Sequence, residues 1–597
     1  LLAQHYYRYY TLANLSRSRN QERRRQVRAK VVAALQQAAE ASVARHALGK
    51  ADTYYTDALE LYGDEIDPSD APQVVALQSA RGAARWLALR ADDAWNDYRE
   101  ALRVWSATSA AISPIGDAIG DVEEDSSEAR GLATPVAAGS ASQPPAAAQS
   151  GVLRSPTMPA ALPLDWRQQG MRLYRVLAQL PTRSQGLFRR LPPHEELGAY
   201  LEEGLRLAEE LGQRDTLDYA KLLTAKSFFW WSWAERRSEG DLLDAYRSAR
   251  EAVRITEALG DARAASEALD ALGNIQAIMT DLTGYLESQK RRLRWAAQID
   301  EAQEIVDINT EVSQAYQLVG EFADAVRHAQ TALTVAHEVD ADTLRVKALW
   351  GLTLSQFEWD HWSEATEAGA ELQVRAQRTV MRQNNHHQWA LLSLATIAAR
   401  TGDADSVERL ARMAAETSAP PAQEVELARA RLAMARGEPR EAQQALVNAL
   451  DIRAGRHNMA ALMAELAELA ARSGDLDLYD RFGAEALELG WRSGARKALA
   501  QALRARAIVG VSASRWEDAL ADAQNALARY RELGCGWEQG RSRYVLAGLY
   551  RRRNDHGDDG RARDELTQAL RQFDELRAVR DIARVRSALA GGDVRLP

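Results

Sequence analysis

The chain contains 597 residues, of which 46% are hydrophobic and 27% charged, and its net charge is −9. This length excludes a single compact core and predicts several domains or a repeat array. The acidic balance disfavours a nucleic-acid partner, because phosphate binding needs a concentrated basic surface. No apolar run approaches the roughly 20 residues that cross a bilayer.

The chain begins LLAQHYYRYY, within an amphipathic pattern, and has no initiator Met or signal peptide at this end. We expect it to be part of a longer cytoplasmic protein that makes no membrane contact. The one cysteine, Cys535, excludes an intrachain disulfide and suits a reducing compartment. A nucleophilic role would need a nearby base and an oxyanion site, which the surrounding sequence lacks, so a buried inert thiol is expected.

The first region, residues 1–106, has apolar residues at three- and four-residue spacing, which indicates amphipathic helices. Two phrases in it resemble each other, ADTYYTDALEL at 51–61 and ADDAWNDYREALRVW at 91–105. Each has Ala, an aromatic residue four positions later and Ala three positions after that. We therefore expect about two helix-pair units here. The basic stretch SRSRNQERRRQVRAK at 16–30 is interpreted as a solvated helix face, with a contact to nucleic acid or to an acidic neighbouring domain as the alternative.

Residues 107–163 differ in composition, since they hold seven of the sixteen prolines and are otherwise rich in Ala, Ser and Gly. Such a segment cannot bury enough apolar area to offset the entropy of ordering. It is predicted to be a disordered linker, with a structured regulatory insert as the alternative.

From residue 164 to 597 a helical phrase recurs, most clearly as GEFADAVRHAQTALTVA at 320–336. The copies follow at intervals of 35 to 43 residues. A period near 40 with two helices per unit is typical of a helical solenoid, here of about nine to ten units. Ala325, Ala329 and Ala332 form a stripe of small residues that lets two helices approach closely. Gly320 stands where the turn between the helices needs an unhindered backbone.

This phrase resembles the tetratricopeptide repeat (TPR). It has the turn glycine, the following aromatic residue and the small residues of that family's second helix. The preceding TEVSQAYQLV supplies Ser313 and Tyr316 at the small and aromatic positions. The family's period is about 34 residues, so longer helices or turns are expected here. The resemblance implies an all-α, right-handed α-α solenoid that holds a protein or peptide partner in a concave groove lined by first helices.

Two further phrases, LEEGLRLAEELGQRD at 201–215 and AREAVRITEALGDARAASEALDALGNI at 249–275, look like a more specific group. They resemble the C-terminal repeat region of bacterial AAA-ATPase-linked adenylate and guanylate cyclases and of related STAND-type regulators. The resemblance implies a non-catalytic regulatory scaffold in a cytoplasmic bacterial signalling protein. Its partner would be another protein, a peptide or a domain of the same parent chain, and an oligomeric contact stays open. The alternatives are the effector-sensing region of a STAND-type transcriptional regulator and an enzyme with an unrecognised site.

No motif in the chain indicates catalysis, a cofactor or a bound metal. HALGKADT at 46–53 lacks the first Gly and the Ser or Thr of a phosphate loop. The neighbouring His386 and His387 point about 100° apart on a helix, so an exposed helix start is expected rather than a metal site. Asp555, Asp558 and Asp559 lack the spacing of a calcium loop and are interpreted as a polar insertion between two helices of the last unit.

The tetratricopeptide register also selects the side chains that would face the groove. The alternative for its aromatic members is packing between neighbouring helices. In SFFWWSW at 227–233 the aromatic residues surround the helix, so most are expected in the core, with one directed to the groove. The predicted groove residues are Trp230, Arg237, Thr310, Gln314, Gln317, Trp350, Phe357 and Trp389.

Overall fold

The computed structural model describes residues 7–8, 21–63, 66–112, 164–183, 188, 190–232, 239–419, 421–452, 456–512 and 514–594. Helices and the turns between them make up these ranges, without a strand among them. The chain forms two compact units, Leu1–Ala225 and Lys226–Pro597, which are treated separately below. In the described ranges, no helix is both long enough and apolar enough to cross a membrane.

The first unit consists of antiparallel helices in consecutive pairs. They are α1 Gln21–Val43, α2 Leu48–Glu60, α3 Ala71–Leu87, α4 Ala91–Ile112, α5 Leu164–Arg183 and α6 His194–Glu210, and the first part of α7 Leu217–Ser232. The two similar phrases lie on α2 and α4. Each buries its small–aromatic–small positions, Ala51, Tyr55 and Ala58 in one helix and Ala94, Tyr98 and Ala101 in the other.

Helix α4 continues to Ile112, past the predicted linker boundary at 107, and residues 113–163 lie outside the described residues. The helices on either side of that stretch pack against each other. Trp105 Nε1 donates to Trp166 O at 2.8 Å, and Trp95 Nε1 donates to Leu177 O at 3.1 Å. Both sides of the predicted linker therefore belong to one unit.

The second unit continues as helix pairs. In each pair the odd-numbered helix is the first helix and the even-numbered helix that follows is the second helix. After α7 its helices are α8 Glu239–Leu259, α9 Ala262–Ile278, α10 Leu282–Ala296, α11 Ala302–Val319, α12 Phe322–Glu338, α13 Asp342–Glu358, α14 Trp362–Ala376, α15 Asn385–Thr401, α16 Ala404–Ala415, α17 Gln423–Arg436, α18 Pro439–Asp451, α19 Met459–Ser473, α20 Leu476–Arg492, α21 Arg496–Ser512, α22 Trp516–Leu533, α23 Gly536–Arg553, α24 Asp558–Glu575 and α25 Val579–Leu589. Two short 3₁₀ helices, Val380–Gln383 and Arg456–Asn458, precede α15 and α19.

The sequence pattern explains these pairs. From α9 onward, successive first helices begin 36 to 43 residues apart. Ala325, Ala329 and Ala332 are fully buried, as a stripe of small residues between packed helices requires. Gly320 ends α11 at φ 86°, a left-handed conformation in which a side chain would be strained. The predicted all-α solenoid is confirmed, and its long period arises from helices such as α11 and α12, of 18 and 17 residues.

Helix pairs of the second unit also contact each other across four intervening pairs of the array. Arg496, which begins α21, donates to Val319 O at 3.1 Å and to Gly320 O at 2.9 Å. Asp360, after α13, accepts from the backbone N–H of Trp537, which lies 177 residues away. The array therefore coils so that its later pairs lie beside its earlier ones.

Candidate functional site

A series of ion pairs connects first helices of the second unit, and we call it the central ion-pair chain. Arg431 on α17 pairs with Glu465 on α19 at 2.8 Å and with Glu358 on α13. Lys497 on α21 reaches the same Glu358 at 2.9 Å. Burial raises the pKa of Glu358, but the two cations outweigh it and lower the pKa to about 2. The chain thus fixes charged side chains of four first helices against one another.

Three later first helices, α19, α21 and α23, share a second group of ion pairs around the fully buried Arg504 of α21. We call this group the arginine hub. The Nε and Nη2 of Arg504 each lie 2.9 Å from an oxygen of Glu468, and its Nη1 lies 2.6 Å from Glu538 Oε2. Arg541 pairs with the same two carboxylates at 2.8 and 3.1 Å. Two-pronged arginine–carboxylate pairs of this kind are strong and geometrically specific, so the hub ties α19, α21 and α23 together.

Next to the hub lies a small recess of about 20 Å³ that is partly open to solvent. Its lining comprises Glu468, Arg472, Arg504, Arg541, Tyr544, Val545, Phe573, Asp581, Arg584 and Val585. Arg472, in the last turn of α19, is partly buried, and its Nε has no hydrogen-bond partner among the described residues. Burial and the neighbouring arginines lower its pKa to about 10.

A group rich in carboxylates lies earlier in the array, on α9, α10, α11 and α13. Arg292 is fully buried there and pairs with Asp270 at 2.7 Å and Asp307 at 2.9 Å, while Lys347 also pairs with Asp307. Glu311 accepts a hydrogen bond from the Tyr285 hydroxyl at 3.0 Å. Burial, together with Asp270 and Asp307, raises the pKa of Glu311 to about 7, so this carboxyl group titrates near neutrality.

The predicted groove aromatics of α13 and α15 are buried, as the alternative of packing between helices requires. Trp350 is 4% exposed and stacks on His386 at a centroid distance of 4.7 Å. Phe357 and Trp389 are equally enclosed and belong to the same core cluster. These three rings hold neighbouring repeats together.

The polar residues of the predicted groove differ in how deeply they are buried. Thr310 and Gln317 are buried; Thr310 Oγ1 donates to Val306 O at 2.8 Å, and Gln317 accepts from Ser355. Gln314 is half-buried on α11. The side chain of Trp230 and the whole of Arg237 lie outside the described residues.

The neighbouring histidines and the aspartate-rich stretch before α24 were two further candidates from the sequence. His386 and His387 do begin α15, but the expectation of an exposed pair is wrong. His387 is 4% exposed, His386 is partly buried, and burial lowers both pKa values to about 4. Asp558, predicted to lie in a polar insertion between two helices, begins α24, where it is buried and accepts from Arg553 at 2.7 and 2.8 Å. Among the described residues no group of three His, Cys, Asp or Glu side chains is arranged to hold a metal ion.

The remaining candidates from the sequence are the single cysteine and the basic stretch at 16–30. Cys535 is fully buried, and burial raises the pKa of its thiol. In the basic stretch, Arg25 pairs with Asp67 at 2.8 Å and Arg28 with Asp70, while residues 16–20 lie outside the described residues. These arginines contact acidic residues of their own unit.

The central ion-pair chain and the arginine hub were missed from the sequence. The available signal was the presence of charged residues inside apolar first helices, as in AELAELAARSG at 464–474, where Glu468 and Arg472 interrupt a run of Ala and Leu. Their partners are distant in sequence, however; Lys497 and Glu358 are 139 residues apart.

No protein-family model and no curated protein matches this chain. Many solved structures are similar to it, three of which follow. The apo form of RapI is 12% identical, with a TM-score of 0.44, over 70% of this chain and 99% of that one. The APC/C hetero-tetramer Cut9–Hcn1 is 12% identical, with a TM-score of 0.42, over 96% and 98%. A Rap protein complexed with competence and sporulation factor is 11% identical, with a TM-score of 0.27, over 67% and 98%. Likenesses this low assign no function, and the fold class, an all-α solenoid of helix pairs, follows from the chain's own helices.

Proposed function

We propose that this chain is a non-catalytic scaffold for protein–protein interaction, and that its partner docks on first helices of the second unit. The observation that supports the proposal is the central ion-pair chain. Its side chains keep between 10% and 20% of their exposure, and their partners hold them in place on four first helices. A partner that meets charges at fixed spacing gains specificity and register, and neither side has to order long side chains on binding.

The phrases at 201–215 and 249–275 support a finer proposal about the parent protein. By their resemblance, the chain is the regulatory C-terminal part of a cytoplasmic bacterial signalling protein of the cyclase or ATPase type. The partner is then a catalytic domain of the same parent chain or a regulator of it. Binding would act by changing the population of active states of that domain.

Two matched polar positions test the docking face. Gln314 lies half-buried on the first helix α11, and Thr331 lies exposed on the second helix α12 of the same pair. A photo-cross-linking residue placed at each position in the full-length parent protein reports which helix the partner touches. We expect a cross-linked protein or domain from position 314 and none from position 331.

The cross-linked partner is then purified and its affinity measured by titration calorimetry. A Gln314→Arg variant places a bulky cation on the docking face and should weaken the Kd at least tenfold, which corresponds to about 1.4 kcal/mol. Thr331→Arg adds the same group to the second helix and should leave the Kd unchanged. Equal cross-linking at both positions, or equal Kd values for both variants, would contradict the docking face.

A further inference from the structure

The recess beside the arginine hub contains a guanidinium group that lacks a carboxylate partner. The other enclosed arginines of these helices each have one, namely Arg431 with Glu358 and Glu465, and Arg504 and Arg541 with Glu468 and Glu538. Arg472, one helical turn after Glu468, has no ion pair with any side chain of the described residues. Its Nε donates to no protein atom there either.

Arg400 shows how this protein accommodates an enclosed arginine that has no carboxylate within salt-bridge distance in the described residues. Its guanidinium carbon lies 3.5 Å from the centre of the Trp537 ring and 5.4 Å from that of Trp362. Aromatic faces carry negative potential and attract such a cation. Arg472 has no comparable aromatic contact in the described residues, so its charge is not offset in that way.

The charges around the recess leave a positive surplus. Four guanidinium groups line it, those of Arg472, Arg504, Arg541 and Arg584, against the carboxylates of Glu468 and Asp581. Glu538, behind the lining, pairs with two of these arginines and reduces the surplus to one charge. A partly buried cation without a counter-charge is unfavourable, which makes the site receptive to an anion.

The recess is accessible to an anion from solvent, and arginines of two different helices line it. Arg584 lies on the last helix, α25, with 45% of its side chain exposed, and pairs with Asp581 at 3.5 Å. It can therefore turn toward an anion that enters from solvent. Arg472 on α19 also lines the recess, and its guanidinium fork matches the oxygens of a carboxylate or phosphate.

We propose that this recess, the Arg472 pocket, binds the oxyanion group of a small ligand, a carboxylate or a phosphate, between Arg472 and Arg584. The bound group would link α19 to α25 and so stabilise the C-terminal end of the second unit. This site is separate from the docking face around Gln314 and does not depend on the proposed partner.

Anion titration of the full chain tests the proposal. Thermal unfolding and hydrogen exchange are measured with increasing acetate or inorganic phosphate, while sodium chloride keeps the ionic strength constant. We expect at least one of the two anions to raise the Tm along a saturating curve, because a ligand that binds only the folded state stabilises it. The same anion should slow exchange in residues 579–589. The two titrations show which oxyanion the pocket prefers.

The Arg472→Met variant separates binding from structure. It relieves the repulsion among the arginines, so its Tm in chloride should equal or exceed that of the unchanged chain, while the anion-dependent rise disappears. Arg584→Met, at the exposed wall, should weaken the apparent Kd at least tenfold and keeps the test decisive if the first variant fails to fold. Arg492→Met removes an arginine that is 66% exposed on α20 and should leave the rise intact. A Tm that acetate and phosphate raise no more than chloride does, or a rise that persists in Arg472→Met or is unchanged in Arg584→Met, would overturn the proposal.

Discussion

Arg504 and Arg506 lie two positions apart on α21, and each forms a two-pronged ion pair in a different environment. Arg504 is fully buried against Glu468 and also reaches Glu538. Arg506 keeps 46% of its side-chain exposure and pairs with Asp522 at 2.7 Å through both prongs. The two positions therefore compare a fully buried arginine with a half-exposed arginine on one helix.

We expect Arg504→Met to lower the free energy of unfolding of the second unit by about 3–5 kcal/mol, because it leaves buried carboxylates without their main cation. Arg506→Met should cost less, because it leaves one carboxylate, Asp522 with 12% of its side chain exposed, whereas Arg504→Met leaves the more deeply buried Glu468 and Glu538. Urea denaturation followed by circular dichroism measures both changes. Equal costs for the two variants would show that burial does not govern the strength of these pairs.

Glu311 predicts a pH dependence of stability. Its pKa is about 7 in the folded chain, against an ordinary value of 4.5, so the folded state binds more protons between these values. The contribution of Glu311 to stability is then complete below about pH 4.5 and is lost as the pH rises through 7. Arg292 and Lys347 oppose this shift without cancelling it.

The corresponding measurement is the Tm of the second unit between pH 5 and pH 8. His386 and His387, whose pKa values burial lowers, contribute the opposite slope below about pH 6.5, so the effect of Glu311 is the difference in Tm between the unchanged chain and Glu311→Gln. The stability of the unchanged chain relative to Glu311→Gln should decline toward pH 8, because the amide keeps no charge. Asp403→Asn, at an exposed helix cap that accepts from Ser406, is a suitable control and should show no such decline. A constant difference between the unchanged chain and Glu311→Gln from pH 5 to pH 8 would assign any pH dependence to another group.

At the scale of helices, the sequence predicted which residues pack between neighbouring helices. It did not predict which charged residues pair with each other. The stripes of small residues and the turn glycines depend on local spacing, so GEFADAVRHAQTAL alone predicts where α11 ends and which face of α12 is buried. The enclosure of His387 and the pairing of Glu358 depend on helices that lie far away in sequence. Such contacts have no local signature, so the sequence alone could not predict them.

A close approach between helices gives an element-scale test. A Cβ atom added at Gly170 on α5 would lie 2.0 Å from the ring of Trp105 on α4. Gly170→Ala should therefore separate the two helices and lower the Tm of the first unit by several degrees, since overpacking costs about 1–3 kcal/mol. Gly49→Ala, on α2 of the same unit, meets no atom within 4 Å and should be neutral or slightly stabilising. A Gly170→Ala variant as stable as Gly49→Ala would contradict the packing of α5 on α4.

At the scale of the whole chain, composition predicted a boundary at the proline-rich stretch, whereas the compact units divide at 225 and 226. The stretch separates α4 from α5 in sequence only, because Trp95 and Trp105 join those helices. Within the second unit, Trp359 Nε1 donates to Leu533 O at 3.0 Å, which links helix pairs that are distant in sequence. In most solenoids, by contrast, each repeat is stabilised only by the repeats next to it.

These links predict that damage at the C-terminal end spreads to the middle of the array. A chain that ends at residue 494 lacks Lys497, Trp537 and their contacts to Glu358 and Asp360. We expect its amide exchange to accelerate in α13 and α14 as well as in α19 and α20 beside the cut. Hydrogen exchange with mass spectrometry resolves these segments. Acceleration confined to α19 and α20 would mean that only adjacent repeats stabilise each other.

The contacts between distant pairs also restrict how this array can evolve. Solenoids usually change length readily, because an added or deleted repeat finds equivalent neighbours on both sides. Here Asp360 and Val319 each meet a partner 177 residues further along the chain. Insertion or loss of one repeat between them would shift every such partner out of reach. Homologues should therefore vary in the length of their loops while the number of repeats between α11 and α25 stays constant.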